Sequence, residues 1–428
     1  MSHFPFPEVD LERPQPPAGV DRPRLRAAAA ALTALTALAA TGLVAGPAAA
    51  SPHGDPCALQ RTAAHHSEGL DTWNADYPRP RQRLNAVMVF LSFPDAAPLT
   101  TPEQLTSDYF PSTSQFYDRA SYGRFSLVPH AQRAWLKMPR ASTSYRIQRD
   151  WAPADRSAYL RDALDTADPS TDFSKYDIVY FVADPDAPGV DSDATKVVNF
   201  DRPMRADGTE IRRVVTVFEQ HPPDRNVLAH ETGHVFDLPD LYHRPSDGKG
   251  DWDTYVGDWD VMGSQFGLAP DLFGWHKWKL GWLEPEQVSC VTRTGVTRLT
   301  LEPLSTAPRT AGAPFGTGDG TKLAVVRTGR SSAVALEARG AAGNDSTTCS
   351  QGVLIYRIHG DSASGAGPVQ VLDTHPTTAS CPGDSVYPPL ADAPLSVGES
   401  FTIPGENLRV EAENRTESGA WTVKVTTG

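Results

Sequence analysis

His230, Glu231 and His234 stand in the order H-E-x-x-H within VLAHETGHVFDLPDLY, residues 227–242. On a helix, residues four apart differ by about 40° around the axis, so both imidazoles can reach one metal ion with Glu231 beside them. Two neutral imidazoles and one further ligand leave an open position on Zn²⁺, where water ionises near pH ~7 instead of ~15.7 and an adjacent carboxylate can take its proton. That chemistry is hydrolytic. The flanking sequence suits a helix: Pro222 and Pro223 end what precedes it, Asp224 is the expected N-cap, and Val227, Leu228 and Val235 supply an apolar side. The five residues alone are a weak signal, because the motif also arises on helices whose histidines are merely solvated or packed in a core.

Spacing narrows the third ligand. Thermolysin-like enzymes use a glutamate about twenty residues downstream, but the next glutamate here is Glu284, in the turn-like stretch GWLEP. Asp240 lies six residues past His234, directly after Pro239. Proline cannot continue a helix, so the chain turns there and can swing the Asp240 carboxylate back to the metal. Asp253, in DWDTY, is the rival. A short tight turn fixes a ligand better than a loop does, which favours His230, His234 and Asp240.

The run HETGHVFDLPDLY, followed by GDWDVMGSQ and DLFGWHKWKLGWLEP, resembles the immune-inhibitor-A-like (M6) metallopeptidases, a metzincin-type group of secreted bacterial enzymes. The resemblance implies zinc on His230, His234 and Asp240, Glu231 as the base, and Met262 in a methionine-containing turn beneath the metal. The implied fold is α+β: a metzincin-like zincin catalytic domain, with a mixed twisted sheet and helices, followed by an all-β C-terminal module. One position departs from the pattern. Where the family has glycine, this chain has Asp237, at a helix end where a positive φ is expected; glycine accepts that freely and aspartate at some cost. Tyr242 and Tyr255 are candidates for stabilising an oxyanion, by proximity alone.

The elements that must position these residues are legible in part. The apolar runs at 86–93, 176–183 and 211–218 read as strands, the last immediately before the metal helix. Residues 101–127 read as helix passing into strand near Phe125, and residues 157–167 as a helix with Tyr159, Leu160 and Leu164 inward. Some strand should form an exposed edge beside the cleft, to which a peptide could add; the sequence does not say which. Phe273, Trp275, Trp278 and Trp282 recur near helical spacing and read as core. Among Asp247, Asp251, Asp253, Asp258 and Asp260, a solvated acidic loop is favoured over a calcium site. After Pro285 come short apolar runs separated by turn residues, an all-β signature, with a boundary near residue 286.

The 428 residues suffice for two or more domains, and a net charge of −13 suggests neither a nucleic-acid partner nor an anionic membrane. Residues 1–50 read as an export signal: Arg22, Arg24 and Arg26 precede an apolar run that ends in Ala48-Ala49-Ala50, so no stable membrane association is expected after cleavage. Residues 51–84 read as a linking segment in which His65 and His66 are solvated; residues 85–285 form the expected catalytic domain and 286–428 the β-rich one. Four cysteines in an oxidising compartment favour two disulfides; Cys349 with Cys381 and Cys57 with Cys290 is the preferred pairing, and Cys57 as a zinc-capping latency switch the alternative. The expectation is a secreted zinc endopeptidase acting on protein or peptide. The rivals are a non-catalytic binding module on a decayed protease fold and a hydrolase of a non-protein amide.

Overall fold

A computed structural model describes residues 55–245, 249–307 and 320–428; the expected export signal and Asp247 lie outside them. The first half contains β1 (Gln82–Ser92), α1 (Pro102–Tyr109), α2 (Ser112–Ala120), β2 (Phe125–Lys137), α3 (Pro153–Ala167), β3 (Ile178–Ala183), β4 (Lys196–Ala206), β5 (Thr209–Val217), α4 (Val227–Val235) and α5 (Gly274–Leu280). Its sheet runs β2-β1-β3-β5-β4. All neighbours are parallel except β4, which pairs antiparallel with β5 and forms one edge, with β2 at the other. The central strand β3 is buried throughout, as a parallel strand covered on both faces must be. The helical pattern of residues 101–127 is in fact two helices, broken where Pro111 cannot continue the first. β4 was not legible: KVVNFDRPMRA carries a proline and a register shift between Asn199 and Met204, both tolerated at an edge.

The second half is built from strands: β6 (Val288–Cys290), β7 (Gly295–Leu301), β8 (Leu323–Arg327), β9 (Ser332–Arg339), β10 (Gly352–His359), β11 (Val369–Val371), β12 (Ser400–Thr402), β13 (Leu408–Arg415) and β14 (Trp421–Thr427). They make two sheets, β11-β10-β9-β8-β6 and β12-β13-β14-β7. The architecture is therefore α+β. Alternation of side chains along a strand sets the layers. In β8, Leu323 and Val325 face the core that also holds α4 and α5, whereas Ala324 and Val326 face the last sheet. The other face of the first sheet packs on α3 through Tyr159, Leu160 and Leu164. Phe273, Trp275, Trp278 and Trp282 are all buried, as expected of core aromatics. Both preferred disulfides, Cys57–Cys290 and Cys349–Cys381, are formed, so Cys57 is not a zinc cap.

Residues 51–84 are not a loose connector over their described length. Cys57, Leu59, Glu68 and Leu70 are buried, and Glu68 meets Trp275 and His276 of α5 inside the core. The acidic loop is likewise not solvated as a whole. Asp258 and Asp260 are buried: Asp258 accepts from the Leu268 and Val386 N–H groups, and Asp260 from those of Met262 and Phe273. Among the described residues these carboxylates gather into no calcium-type cluster. No described helix is long and apolar enough to cross a membrane.

Asp260 and Glu68 also flank His276, at 3.0 Å from Nδ1 and 2.9 Å from Nε2, with all three fully buried. Burial opposes a charged imidazole, but the two carboxylates outweigh it and raise the His276 pKa to about 9. A folded pKa above the unfolded value stabilises fully below pH ~6.5 and is lost as pH rises through about 9, an effect of up to ~3 kcal/mol. Unfolding free energies from urea titrations should therefore fall across that window, and the slope should flatten in His276→Gln.

Candidate metal centre and cleft

Helix α4 is nine residues long and wholly buried. Its entry is not capped by Asp224: the N-cap is Asn226, in a left-handed conformation without a side-chain cap, and the Asp224 carboxylate instead accepts from Gln265 Nε2. Two tyrosines tie the helix to its surroundings. The Tyr117 hydroxyl donates to the Ala229 carbonyl at 2.5 Å, and the Tyr180 hydroxyl lies 2.9 Å from Thr232 Oγ1. Met262 is fully buried beneath the helix, so close to Gly233 that a β-carbon there would overlap its sulfur.

Both histidines are oriented through Nδ1. His230 Nδ1 lies 2.8 Å from the Val261 carbonyl and His234 Nδ1 2.8 Å from the Leu238 carbonyl. A carbonyl can only accept, so each Nδ1 carries the proton and each Nε2, in the neutral ring, presents a lone pair. Those two Nε2 atoms face one another at 3.2 Å, and Asp240 Oδ1 lies 3.3 Å from the first and 3.0 Å from the second. Three electron-rich atoms converging in a buried place repel unless a proton or a cation lies among them. Ligand bonds of ~2.0–2.1 Å in a tetrahedral arrangement place donor atoms ~3.3 Å apart, so the observed triangle fits zinc. Asp253 lies outside this triangle.

The charges respond to that convergence. Burial works against the His234 imidazolium, yet the Asp240 carboxylate outweighs it and raises the pKa to about 9. Burial likewise opposes ionisation of Asp240, but His234 and His230 hold its carboxyl well below the usual range. Glu231 is pushed upward by burial, with the two imidazoles opposing. Its Oε2 accepts the Val197 N–H at 2.9 Å, so the edge strand β4 holds the carboxylate in place.

Two adjoining cavities of about 350 and 330 Å³ open here, sharing His230, Glu231 and Tyr242. Thr195, Lys196, Val197 and Asn199 line the first, which identifies β4 as the edge beside the cleft. Tyr242 lines both cavities, with its ring stacked 6.4 Å from that of His230. Tyr255 lines neither; it packs on His243 and Gly367. Glu219, Asp224 and Asp253 line the second cavity, and burial, aided by Asp251, pushes the Asp253 pKa up to about 6.

The bend carrying Asp240 is held from two remote segments. At the helix end the Leu238 N–H bonds the Gly233 carbonyl and the Asp237 N–H that of His234, which requires a left-handed residue at 237. Asp237 does have φ +64°, and its side chain accounts for the aspartate. Arg61 donates to Oδ2 at 2.7 Å and His66 Nδ1 to Oδ1 at 2.9 Å. His66 is therefore buried rather than solvated, 5.6 Å from the His234 ring and stacked on it, whereas His65 is exposed and lines the cleft. Lys279 Nζ secures the same bend by donating to the carbonyls of Ser67 and Asp237. From the other side, Ser364 and Gly365 of the β-rich half bond Asp240. Sequence reasoning missed Arg61, His66, Val197 and Ser364. Only the adjacent histidines offered a signal, and nothing in the sequence paired them with Asp237.

No family model matches this chain, and no curated protein does. Two crystal structures of wild-type OgpA from Akkermansia muciniphila share weak likeness. One, at 12% identity and a TM-score of 0.29, covers 85% of this chain and 97% of its own; the other, at 11% and 0.27, covers 71% and 94%. Overlap of that degree carries no argument about fold or activity.

Asp237→Gly should separate backbone from side chain. Glycine removes a left-handed cost of ~1 kcal/mol but strands Arg61 and His66, a loss of ~2–3 kcal/mol. The expected outcome in chemical denaturation is a net destabilisation of ~1–2 kcal/mol, even though glycine suits the backbone better.

Proposed function

We propose that this chain is a secreted zinc-dependent endopeptidase of the metzincin type, similar to the immune-inhibitor-A-like family. The observation that carries the reading is the convergence of two lone-pair-bearing Nε2 atoms and one carboxylate oxygen, 3.0–3.3 Å apart, beside a buried glutamate at the wall of a cleft. His230, His234 and Asp240 would hold the zinc ion, which supplies Lewis acidity and lowers the pKa of water. Glu231 accepts the attacking water's proton at Oε1 and passes it to the leaving amine; its raised pKa brings it nearer the neutral range where an acid-base group is most effective. Strand β4 offers outward main-chain groups beside the cleft to which an extended peptide can add. Two disulfides suit an oxidising compartment.

Casein hydrolysis by the purified protein should be abolished by a chelator and restored by zinc. Glu231→Gln should lower kcat by ~10²–10⁴-fold while the protein still binds zinc. Equal rates for wild type and variant would remove Glu231 from its role, and chelator-resistant hydrolysis would remove the metal.

Charge along the cleft makes a second expectation. Glu219, Asp224 and Asp253 form no ion pair among the described residues, while Arg149 is occupied by Asp193 and the Trp252 ring. The second cavity is therefore net negative, and focused potentials of that kind favour cationic over anionic side chains. In a peptide library, Lys or Arg next to the scissile bond should raise kcat/KM over Asp or Glu by ~10-fold or more, and added salt should erode the preference. A flat charge profile would refute it.

A further inference from the structure

We infer that Ser364, from the β-rich half, is a positioning residue for the metal site: its hydroxyl locks the Asp240 carboxylate in the rotamer that presents Oδ1 to the two histidines. The inference rests on Asp240 being a metal ligand. Ser364 Oγ donates to Asp240 Oδ2 at 2.8 Å and accepts from the Asp240 backbone N–H at 2.8 Å. One hydroxyl thus bridges the main chain and the side chain of the same residue, so the carboxylate cannot rotate without breaking a bond. The Gly365 N–H donates to the Asp240 carbonyl at 2.9 Å and fixes the peptide that follows. Oδ2 is thereby occupied, and Oδ1 is left facing His230 and His234.

The loop that brings Ser364 here, between β10 and β11, is itself placed from both sides. His243 forms a bridge with Ala366, and the Arg244 N–H donates to the Gly365 carbonyl. At the loop's start the Gly360 carbonyl accepts from Thr62 Oγ1 at 2.6 Å and from Ser67 Oγ at 3.2 Å. The N-terminal strap that holds Asp237 therefore also holds this loop. Outer hydrogen bonds to a ligand carboxylate typically affect metal affinity by ~10–100-fold. On this geometry the β-rich half is part of the metal site, which the segment up to residue 285 cannot complete alone.

The test compares full-length wild type, Ser364→Ala and Ser364→Thr by competition for zinc against a chromogenic chelator, by the visible spectrum of the cobalt-substituted protein, and by urea unfolding of the metal-free forms. Support is a ~10–100-fold loss of zinc affinity and a changed cobalt spectrum in Ser364→Ala, recovery in Ser364→Thr, and unchanged metal-free stability. Unaltered affinity and spectrum in Ser364→Ala would overturn the positioning role while leaving the ligand set standing. A loss that Thr does not restore, or that tracks a fall in metal-free stability, would overturn it as well. Wild type that fails to bind zinc would bring down the ligand set and this inference together.

Discussion

Two imidazoles whose Nδ1 atoms are committed to backbone carbonyls have nowhere to turn their Nε2 lone pairs except toward each other. That frustration, 3.2 Å apart and buried, is the constraint on which the rest of the structure bears. It persists because the carbonyls of Val261 and Leu238 belong to segments that are themselves held in place. The turn at residues 260–263 is fixed by Asp260 and by Met262 packed under Gly233, and the helix end by the left-handed Asp237. The Asp240 carboxylate, 3.0 Å from His234 Nε2, answers that crowding by raising the His234 pKa to about 9, so that a proton can lie between them.

Holding such a site rigid requires burial of groups that would otherwise prefer water, and each is answered by a partner. Asp237 is met by Arg61 and His66, the Asp237 carbonyl by Lys279, and Glu231 by an edge-strand N–H. A buried carboxylate left without such donors would protonate or draw in water. The N-terminal strap, tied down by Cys57–Cys290 and by His276 through Glu68, supplies several of these partners. Removing it would strand polar groups at the helix end rather than merely expose a surface.

The layering of the sheets explains how segments so distant in sequence meet. β8 and its neighbours present one face to the core around α4 and α5 and the other to the last sheet, and the loop after β10 carries Ser364 to the wall of the cleft. Asp240 and Ser364 are 124 residues apart in the chain and 2.8 Å apart in space. The shared core, continuous from Leu228 and Trp275 to Val325 and Tyr356, keeps that distance short.

By itself the sequence determined what depends on local periodicity and residue type. The spacing of His230, Glu231 and His234, the proline that forces the bend before Asp240, the buried strands around residues 86–93 and 176–183, the all-β tail and the core tryptophans could all be read from neighbours along the chain. Tertiary structure alone decided which strand lies at the edge beside the cleft, why an aspartate occupies the left-handed position 237, and which groups steady Glu231 and Asp240. Those choices rest on long-range hydrogen bonds and charge pairs, to which no period in the chain corresponds: Arg61 and His66 with Asp237, Val197 with Glu231, Ser364 with Asp240. His66 looked solvated for the same reason, since the carboxylate that buries it lies 171 residues away.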